Sequence, residues 1–181
     1  MTTRGNGEII RPERAFELWA EMAVALPRDR AIYLIGNGAS ASMASHFAAD
    51  VTKNCGIRAV VFTDAALITA LGNDHGFENA FALALNRYAL PGDLLVAVSS
   101  SGNSPNIVRG CQEAAKMKVK TVTVSGKKPD NAIRSIGDIN FYVPADSYSL
   151  SESAHSMILH HWIDRLEAAN KWTQASASSS G

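Results

Sequence analysis

Four of the five histidines fall in two stretches with helical patterns, and both stretches also carry acidic residues. In the first, ASASMASHFAAD, His46 and Asp50 are four residues apart, so a helix places both side chains on one face. An imidazole and a carboxylate in this arrangement can share a divalent metal, or can act as a base and the group that orients it. They can equally form an ordinary ion pair, and the spacing alone leaves these interpretations open.

The second stretch, SLSESAHSMILHHWIDRLE, holds Glu152, His155, His160 and His161. On a helix, His155 lies one turn from Glu152, so these two side chains are closer together than Glu152 and His160. The rise from Glu152 to His160 is about 12 Å, so the two side chains could bind the same metal ion only if Glu152 lies in a fraying first turn or if neighbouring subunits contribute. Helical geometry therefore separates these candidates only in part.

A glycine turn, GNGASA, precedes the first histidine helix and follows an apolar run. Gly36, Gly38 and Ala41 satisfy the relaxed dinucleotide fingerprint, and Asp64 ends the next apolar run, near where an acid that binds ribose would be sought. A tight turn between a strand and a helix needs glycines in any case. The hydroxyl of Ser40 beside the helix start favours a phosphoryl group over a pyrophosphate.

A second turn, VSSSGNSPN, is richer in groups that could bind an anion. It gathers four hydroxyls around a glycine, and Pro105 then opens a helix. Main-chain N–H groups at a helix start and the positive end of the helix dipole attract anions, and hydroxyls add further donors. The sequence therefore predicts a phosphate site formed by Ser99, Ser100, Ser101 and Ser104.

Five short apolar runs alternate with helical patterns, which is typical of a doubly wound α/β sheet with both faces covered. The predicted strands are residues 30–36, 57–63, 93–99, 118–125 and 138–144. The predicted helices are 11–26, 39–54, 77–89, 104–117, a short one near 129–136 and a long one at about 150–170. We expect one domain over residues 11–170, a flexible N-terminus over 1–10 and a disordered tail over 171–181.

The composition excludes several classes of partner. Lys and Arg number 17 against 17 Asp and Glu, so no net field favours nucleic acid or an anionic membrane. No stretch approaches the roughly 20 apolar residues of a membrane span, and no signal peptide is evident. Cys55 and Cys111 lack metal-site spacing and are expected to be reduced thiols. These features predict a cytoplasmic protein.

Three segments, GNGASASMASHFAAD, ALGNDHGFENAF and SSSGNSPNIV, resemble the sugar isomerase (SIS) domain family in their order and spacing, and within it the phosphoheptose isomerases. The resemblance covers roughly residues 30–167. It implies a single three-layer αβα domain of flavodoxin-like SIS fold, with a five-stranded parallel sheet, an N-terminal helix and a long C-terminal helix. It also implies a homotetramer whose active sites lie between subunits.

The resemblance also implies roles for individual residues. Asp50 would be the catalytic base, His160 the catalytic acid, and one divalent ion, Zn²⁺, would be bound. His155 would be a supporting or interface residue. The family's ligand positions correspond to His46, Asp50, Glu152 and His160, with Asp50 in place of a glutamate and Glu152 in place of a glutamine; Ser149 stands where relatives have an acid. The implied substrate-binding residues are Asn37, Gly38, Ser40, Asp74, Ser99, Ser100, Ser101, Ser104 and Glu152.

The activity that this implies is aldose–ketose isomerisation through an enediolate, with sedoheptulose 7-phosphate and D-glycero-D-manno-heptose 7-phosphate as the expected pair. One alternative is a non-catalytic SIS protein, either a sugar-phosphate sensor or an adaptor that binds a replication initiator. Another is an isomerase of a different phosphosugar, because a carboxylate at Glu152 could accompany altered specificity. A nicotinamide enzyme is the weakest alternative.

Overall fold

The computed structural model describes the backbone of residues 1–178 and the side chains of residues 1–170. The strands are β1 (Thr2–Arg4), β2 (Ile9–Ile10), β3 (Ile32–Ile35), β4 (Ala59–Val61), β5 (Leu94–Ser99), β6 (Lys120–Gly126) and β7 (Ile139–Val143). The helices are α1 (Pro12–Val24), α2 (Ala39–Cys55), α3 (Ala65–His75), α4 (Ala80–Tyr88), α5 (Pro105–Lys116) and α6 (Tyr148–Ser178), with short 3-10 turns at Phe77–Asn79 and Ala132–Ser135.

The sheet has the strand order β2-β1-β7-β6-β5-β3-β4. All five predicted strands are present, and they form the parallel part of the sheet, β7-β6-β5-β3-β4. The prediction of a five-stranded parallel sheet is nevertheless wrong, because β1 pairs antiparallel to β7 and β2 pairs antiparallel to β1. The sheet is therefore mixed and seven-stranded.

The two additional strands come from residues 1–10, the segment that the sequence predicts to be flexible. Thr2 and Thr3 are β-branched, which suits an extended strand, and Gly7 supplies the positive φ of 85° that the turn requires. The Arg4 N–H donates to the Glu8 carbonyl at 2.8 Å, which closes the hairpin. The register places Thr2 beside Phe141, so the hairpin covers the β7 edge of the parallel strands.

Alternate residues of the parallel strands face two separate cores, which gives the three layers. Ile32 and Leu34 of β3 point into the core beneath α1, α2 and α6, whereas Tyr33 and Ile35 point into the core beneath α4 and α5. Such burial on both faces is why the strands read as continuous apolar runs. The three-layer prediction is confirmed.

The sheet also separates the two thiols. Cys55 lies in the core beneath α2 and α6, and Cys111 lies in the opposite core. Burial raises the pKa of the Cys111 thiol to about 12, so this thiol stays protonated at neutral pH.

The first and last helices are packed together by a pair of indole rings. Trp19 of α1 and Trp162 of α6 stack with ring centroids 4.2 Å apart and planes 9° apart, and both side chains are fully buried. This stack fixes α6 on the same face of the sheet as α2. The two helices that carry the predicted acid–base residues therefore share one layer.

Helix α3 was not among the predicted helices. It has no fully buried residue, and Leu67, Ile68 and Leu71 pack only partly buried against the core beneath α4 and α5. Asp64 begins it as an N-cap, accepting a hydrogen bond of 2.9 Å from the Leu67 N–H. A capping role thus accounts for the acid that the dinucleotide interpretation would assign to ribose binding.

The long C-terminal helix is confirmed, and its backbone extends to Ser178. Of the tail predicted to be disordered, residues 179–181 lie outside the described residues, as do the side chains of 171–178, so that prediction stays a prediction. Within residues 1–178, no helix combines the length and the apolar character needed to cross a membrane.

Candidate active site

The strand order places a crevice between β3 and β5. The chain continues from β3 to β4 on one side, whereas β5 lies on the other side and leads to β6 and β7. The helices after β3 and β5 accordingly leave toward opposite faces of the sheet, α2 on one and α5 on the other. Ligands of open α/β sheets bind at such a switch point, outside the carboxyl ends of the strands.

A cavity of about 310 Å³, which we call the serine cavity, lies at this switch point. It is formed by the glycine turn after β3, the serine turn after β5 and the first residues of α6. A larger groove of about 630 Å³ lies along α4 and α5, but none of the predicted site residues lines it. The lining of the serine cavity consists of Asn37, Gly38, Ala39, Ser40, Ser99, Ser100, Ser101, Ser104, Tyr148 and Glu152.

A reciprocal amide pair ties the two turns together. The Asn37 side-chain amide donates to Asn106 Oδ1 at 2.9 Å, and the Asn106 side-chain amide donates back to Asn37 Oδ1 at the same distance. Asn106 is buried in the first turn of α5 and was not among the predicted site residues. The signal in the sequence was its residue type, because a polar residue stands directly after Pro105 at the start of the buried face of α5. The pair holds the two turns in a fixed relation.

The serine hydroxyls are left able to donate to an anion. Ser99 Oγ accepts from the Gly102 N–H at 3.1 Å, and Ser101 Oγ accepts from the Asn103 N–H at 3.2 Å. Each of these hydroxyls still has its own hydrogen to donate. Ser100 Oγ is buried without a hydrogen-bond partner among the described residues, which is costly unless a ligand or water supplies one.

Ser104 adds a further hydroxyl at the start of α5. It is the N-cap residue, yet its side chain makes no capping bond to the helix. Its Oγ lies 3.5 Å from Ser101 Oγ instead. Together with the positive end of the α5 dipole, this arrangement is suited to a phosphate.

The predicted base and acid lie in one cluster between α2 and α6. His46 Nε2 is 3.3 Å from Asp50 Oδ2, as expected for residues one helical turn apart. The His46 and His160 rings have centroids 5.8 Å apart, and His160 also packs edge-on against Phe47 at 4.8 Å. The His46 side chain is 57% exposed, so the cluster opens to the outside of the chain. A carboxylate and two imidazoles are thereby within reach of one small molecule.

Glu152 does not join this cluster. It lines the serine cavity, about two turns before His160 on the same helix. Across the described residues, no three His, Cys, Asp or Glu side chains lie close enough together to hold a metal ion. The donor types at His46, Asp50 and His160 are those that zinc prefers, but the four-residue ligand set implied by the resemblance is not assembled within this chain.

Asp74 also lies apart from the cavity. It is exposed near the end of α3, where its carboxylate accepts from the Asn73 side-chain amide at 2.8 Å. Every other predicted substrate-binding residue lines the cavity, so Asp74 is the one that this chain by itself does not bring to the others.

His155 is the buried histidine of α6. Its side chain is fully buried, and neither ring nitrogen has a hydrogen-bond partner among the described residues. Burial lowers the pKa of His155 below its ordinary value of 6.5. The imidazole is therefore neutral in the folded protein at neutral pH.

This burial makes a prediction about stability. Between the lowered native pKa and 6.5, the unfolded chain binds a proton at His155 that the folded chain does not. The free energy of unfolding should thus fall as the pH drops through that window and be retained above pH 6.5. We expect His155→Leu to remove this loss, because leucine has no group that binds a proton in either state.

Urea unfolding at pH 7.5 and 5.5 measures this effect. His75→Gln is the matched control, because His75 is exposed and should leave the pH dependence unchanged. An equal loss of stability on acidification in wild type and His155→Leu would contradict the prediction.

Comparison with known proteins places this geometry in a family. The SIS domain profile matches residues 13–126. The phosphoheptose isomerase of Trichlorobacter lovleyi is 32% identical over 142 residues, covering 75% of this chain and 72% of the relative. That of Helicobacter pylori strain Shi470 is 33% identical over 148 residues, covering 77% of each.

Solved structures agree. The phosphoheptose isomerase of Francisella tularensis superposes with a TM-score of 0.79 at 28% identity, over 86% of this chain and 85% of that one. The enzyme of Neisseria gonorrhoeae gives 0.77 at 28% identity, over 86% of each chain. With its glycine and serine turns meeting at one cavity, the chain belongs to the SIS domain family, in the branch of the phosphoheptose isomerases.

Proposed function

We propose that this chain is an aldose–ketose isomerase of a phosphorylated sugar, converting sedoheptulose 7-phosphate to D-glycero-D-manno-heptose 7-phosphate. The observation that carries the proposal is the convergence of the two predicted anion turns on one cavity beside α6. Its relatives are named phosphoheptose isomerases, which favours this substrate over another phosphosugar.

The cavity would hold the phosphate end of the sugar. Hydroxyls of the serine turn donate to the phosphate oxygens at the positive end of the α5 dipole, while the Asn37–Asn106 pair keeps the two turns in register. Binding energy gained there is remote from the reacting carbons, so it can be used to orient the C1–C2 end.

The α2–α6 cluster would move the proton. Asp50 removes a proton from C1 of the ketose, giving the 1,2-enediolate; the O1 proton passes to O2, and His160 then returns a proton to C2 to give the aldose. His46 contacts Asp50 at 3.3 Å and holds that carboxylate in one orientation. The reverse reaction exchanges the two roles.

The proposal also includes a bound zinc ion and an oligomer whose subunits share each active site. Because no three such donors in the described part of one chain lie close enough to hold a metal ion, a zinc site that uses His46, Asp50 and His160 would need donors from a neighbouring subunit, and the ion would then polarise the sugar oxygens. Because the cluster opens outward and Asp74 lies off the cavity, we propose a homotetramer in which neighbouring subunits complete each site.

A panel of phosphosugars, assayed with and without chelator and added zinc, tests the proposal. We expect turnover of sedoheptulose 7-phosphate, none of the unphosphorylated ketose, and a loss on chelation that zinc restores. A clear preference for another phosphosugar would instead favour the alternative isomerase. Tight binding of phosphosugars with no turnover of any would favour the sensor or adaptor.

A further inference from the structure

We infer that Lys127 supplies the positive charge of the phosphate site, with Tyr148 holding its ammonium group beside the cavity when no phosphate is bound. This inference rests on the proposed function, because it concerns the same cavity. It adds a binding residue that the motifs of the sequence do not include.

The first step is the charge of the cavity. Its lining carries several hydroxyls and the carboxylate of Glu152, and neither Lys nor Arg is among the described residues that line it. A phosphate monoester brings close to two negative charges at neutral pH. A site with a carboxylate and no cation is electrostatically poor for such a group, so a cation just outside the lining would matter.

Lys127 is that cation. Its Nζ lies 3.7 Å from the centroid of the Tyr148 ring, and Tyr148 lines the cavity. A lysine over an aromatic face is held weakly when the site is open to water, so rotation about its side-chain bonds can release the ammonium. Among the ion pairs of the described residues none involves Lys127, so its charge is not neutralised by a carboxylate.

The backbone independently places Lys127 beside the serine turn. It follows Gly126 at the end of β6, and Ser125 is registered opposite Ser99 of β5. A Cβ on Gly126 would stand 3.1 Å from the Ser100 carbonyl oxygen, so the chain passes directly against the cavity wall at this point. Lys127 therefore leaves the sheet at the edge where the serine turn begins.

The backbone of Lys127 is held in an unusual conformation. Its φ of 59° is left-handed, which a residue with a Cβ rarely adopts. The Tyr142 hydroxyl donates to the Lys127 carbonyl at 2.7 Å, and the Asn131 amide donates to the Lys128 carbonyl at 2.8 Å. Both contacts fix the direction in which the Lys127 side chain leaves the chain.

Lys127→Gln tests the inference, with Lys128→Gln as its matched control. Lys128 is the next residue, carries the same charge and is exposed. For Lys127→Gln we expect the dissociation constant of inorganic phosphate, measured by titration calorimetry, and KM for sedoheptulose 7-phosphate to rise about 10- to 100-fold. We expect kcat to stay within about 2-fold, because at saturation the serine hydroxyls still hold the phosphate and orient the C1–C2 end.

Two further variants separate charge from structure. Lys127→Arg keeps the positive charge and should retain phosphate binding, whereas a merely structural lysine need not be rescued by it. Lys128→Gln should match wild type in both measurements. Thermal unfolding of each variant checks that the fold is intact.

The outcomes distinguish this inference from the proposed function. Phosphate binding needs no turnover, so weakened binding in Lys127→Gln supports the role of Lys127 even if sedoheptulose 7-phosphate is not converted. Unchanged phosphate binding and KM in that variant, with wild type active on the sugar, would overturn the inference and leave the proposed function standing. An equal loss in Lys128→Gln would also overturn it, because the effect would then be one of general charge.

Discussion

Asp50→Asn and His160→Ala are each expected to reduce turnover of sedoheptulose 7-phosphate by about 10³-fold or more. Asparagine keeps the shape of Asp50 but cannot accept the C1 proton, and alanine removes the imidazole that returns a proton to C2. Neither residue lines the serine cavity, so binding of inorganic phosphate should be unchanged in both variants. Steady-state kinetics with phosphate titration measures both effects.

His161→Ala is the matched control for His160→Ala. His161 is the next residue on α6 and is also exposed, but its ring packs edge-on against Phe16 with centroids 4.5 Å apart. It faces α1 rather than α2, so its loss should leave kcat within about 3-fold of wild type, as for a substitution away from the reacting atoms. Full activity in Asp50→Asn or His160→Ala would remove that residue from its proposed role.

Gly102→Ala is expected to lower the free energy of unfolding by about 3 kcal/mol or more and to abolish phosphate binding. Gly102 has a φ of 64°, and a Cβ there would overlap the side-chain oxygen of Asn131. Asn131 cannot yield easily, since it is buried and its amide donates to Ser125 Oγ and to two carbonyls. The serine turn would have to move.

Gly56→Ala isolates the contact from the backbone conformation. Gly56 ends α2 with a φ of 66°, nearly that of Gly102, but a Cβ there would meet nothing within 4 Å. It should therefore cost only the left-handed strain, about 1 kcal/mol, and leave phosphate binding intact. Urea unfolding of both variants compares them. Equal losses would show that the Asn131 contact contributes nothing.

The parallel strands could be predicted because burial on both faces leaves a plain trace in the sequence. Runs such as IYLI and LLVAV are apolar throughout, and each is fully buried. The two turns could be found because glycine and serine cluster directly after those runs. Their meeting at one cavity then follows from the strand order.

Other features leave no such trace. The hairpin of β1 and β2 depends on pairing with β7, more than 130 residues away, and strands of two or three residues are too short to carry an apolar pattern of their own. The Asn37–Asn106 pair depends equally on a distant partner. Helical spacing gave the separation of Glu152 from His160, but only the packing of α6 shows that Glu152 lines the serine cavity.

The stacked indoles of Trp19 and Trp162 make the beginning and the end of the chain depend on each other. His160 precedes Trp162 by two residues, so the orientation of that imidazole is maintained by a side chain that lies well before the first glycine turn. Selection for the reaction would therefore also constrain substitutions in α1, although α1 takes no chemical part in it.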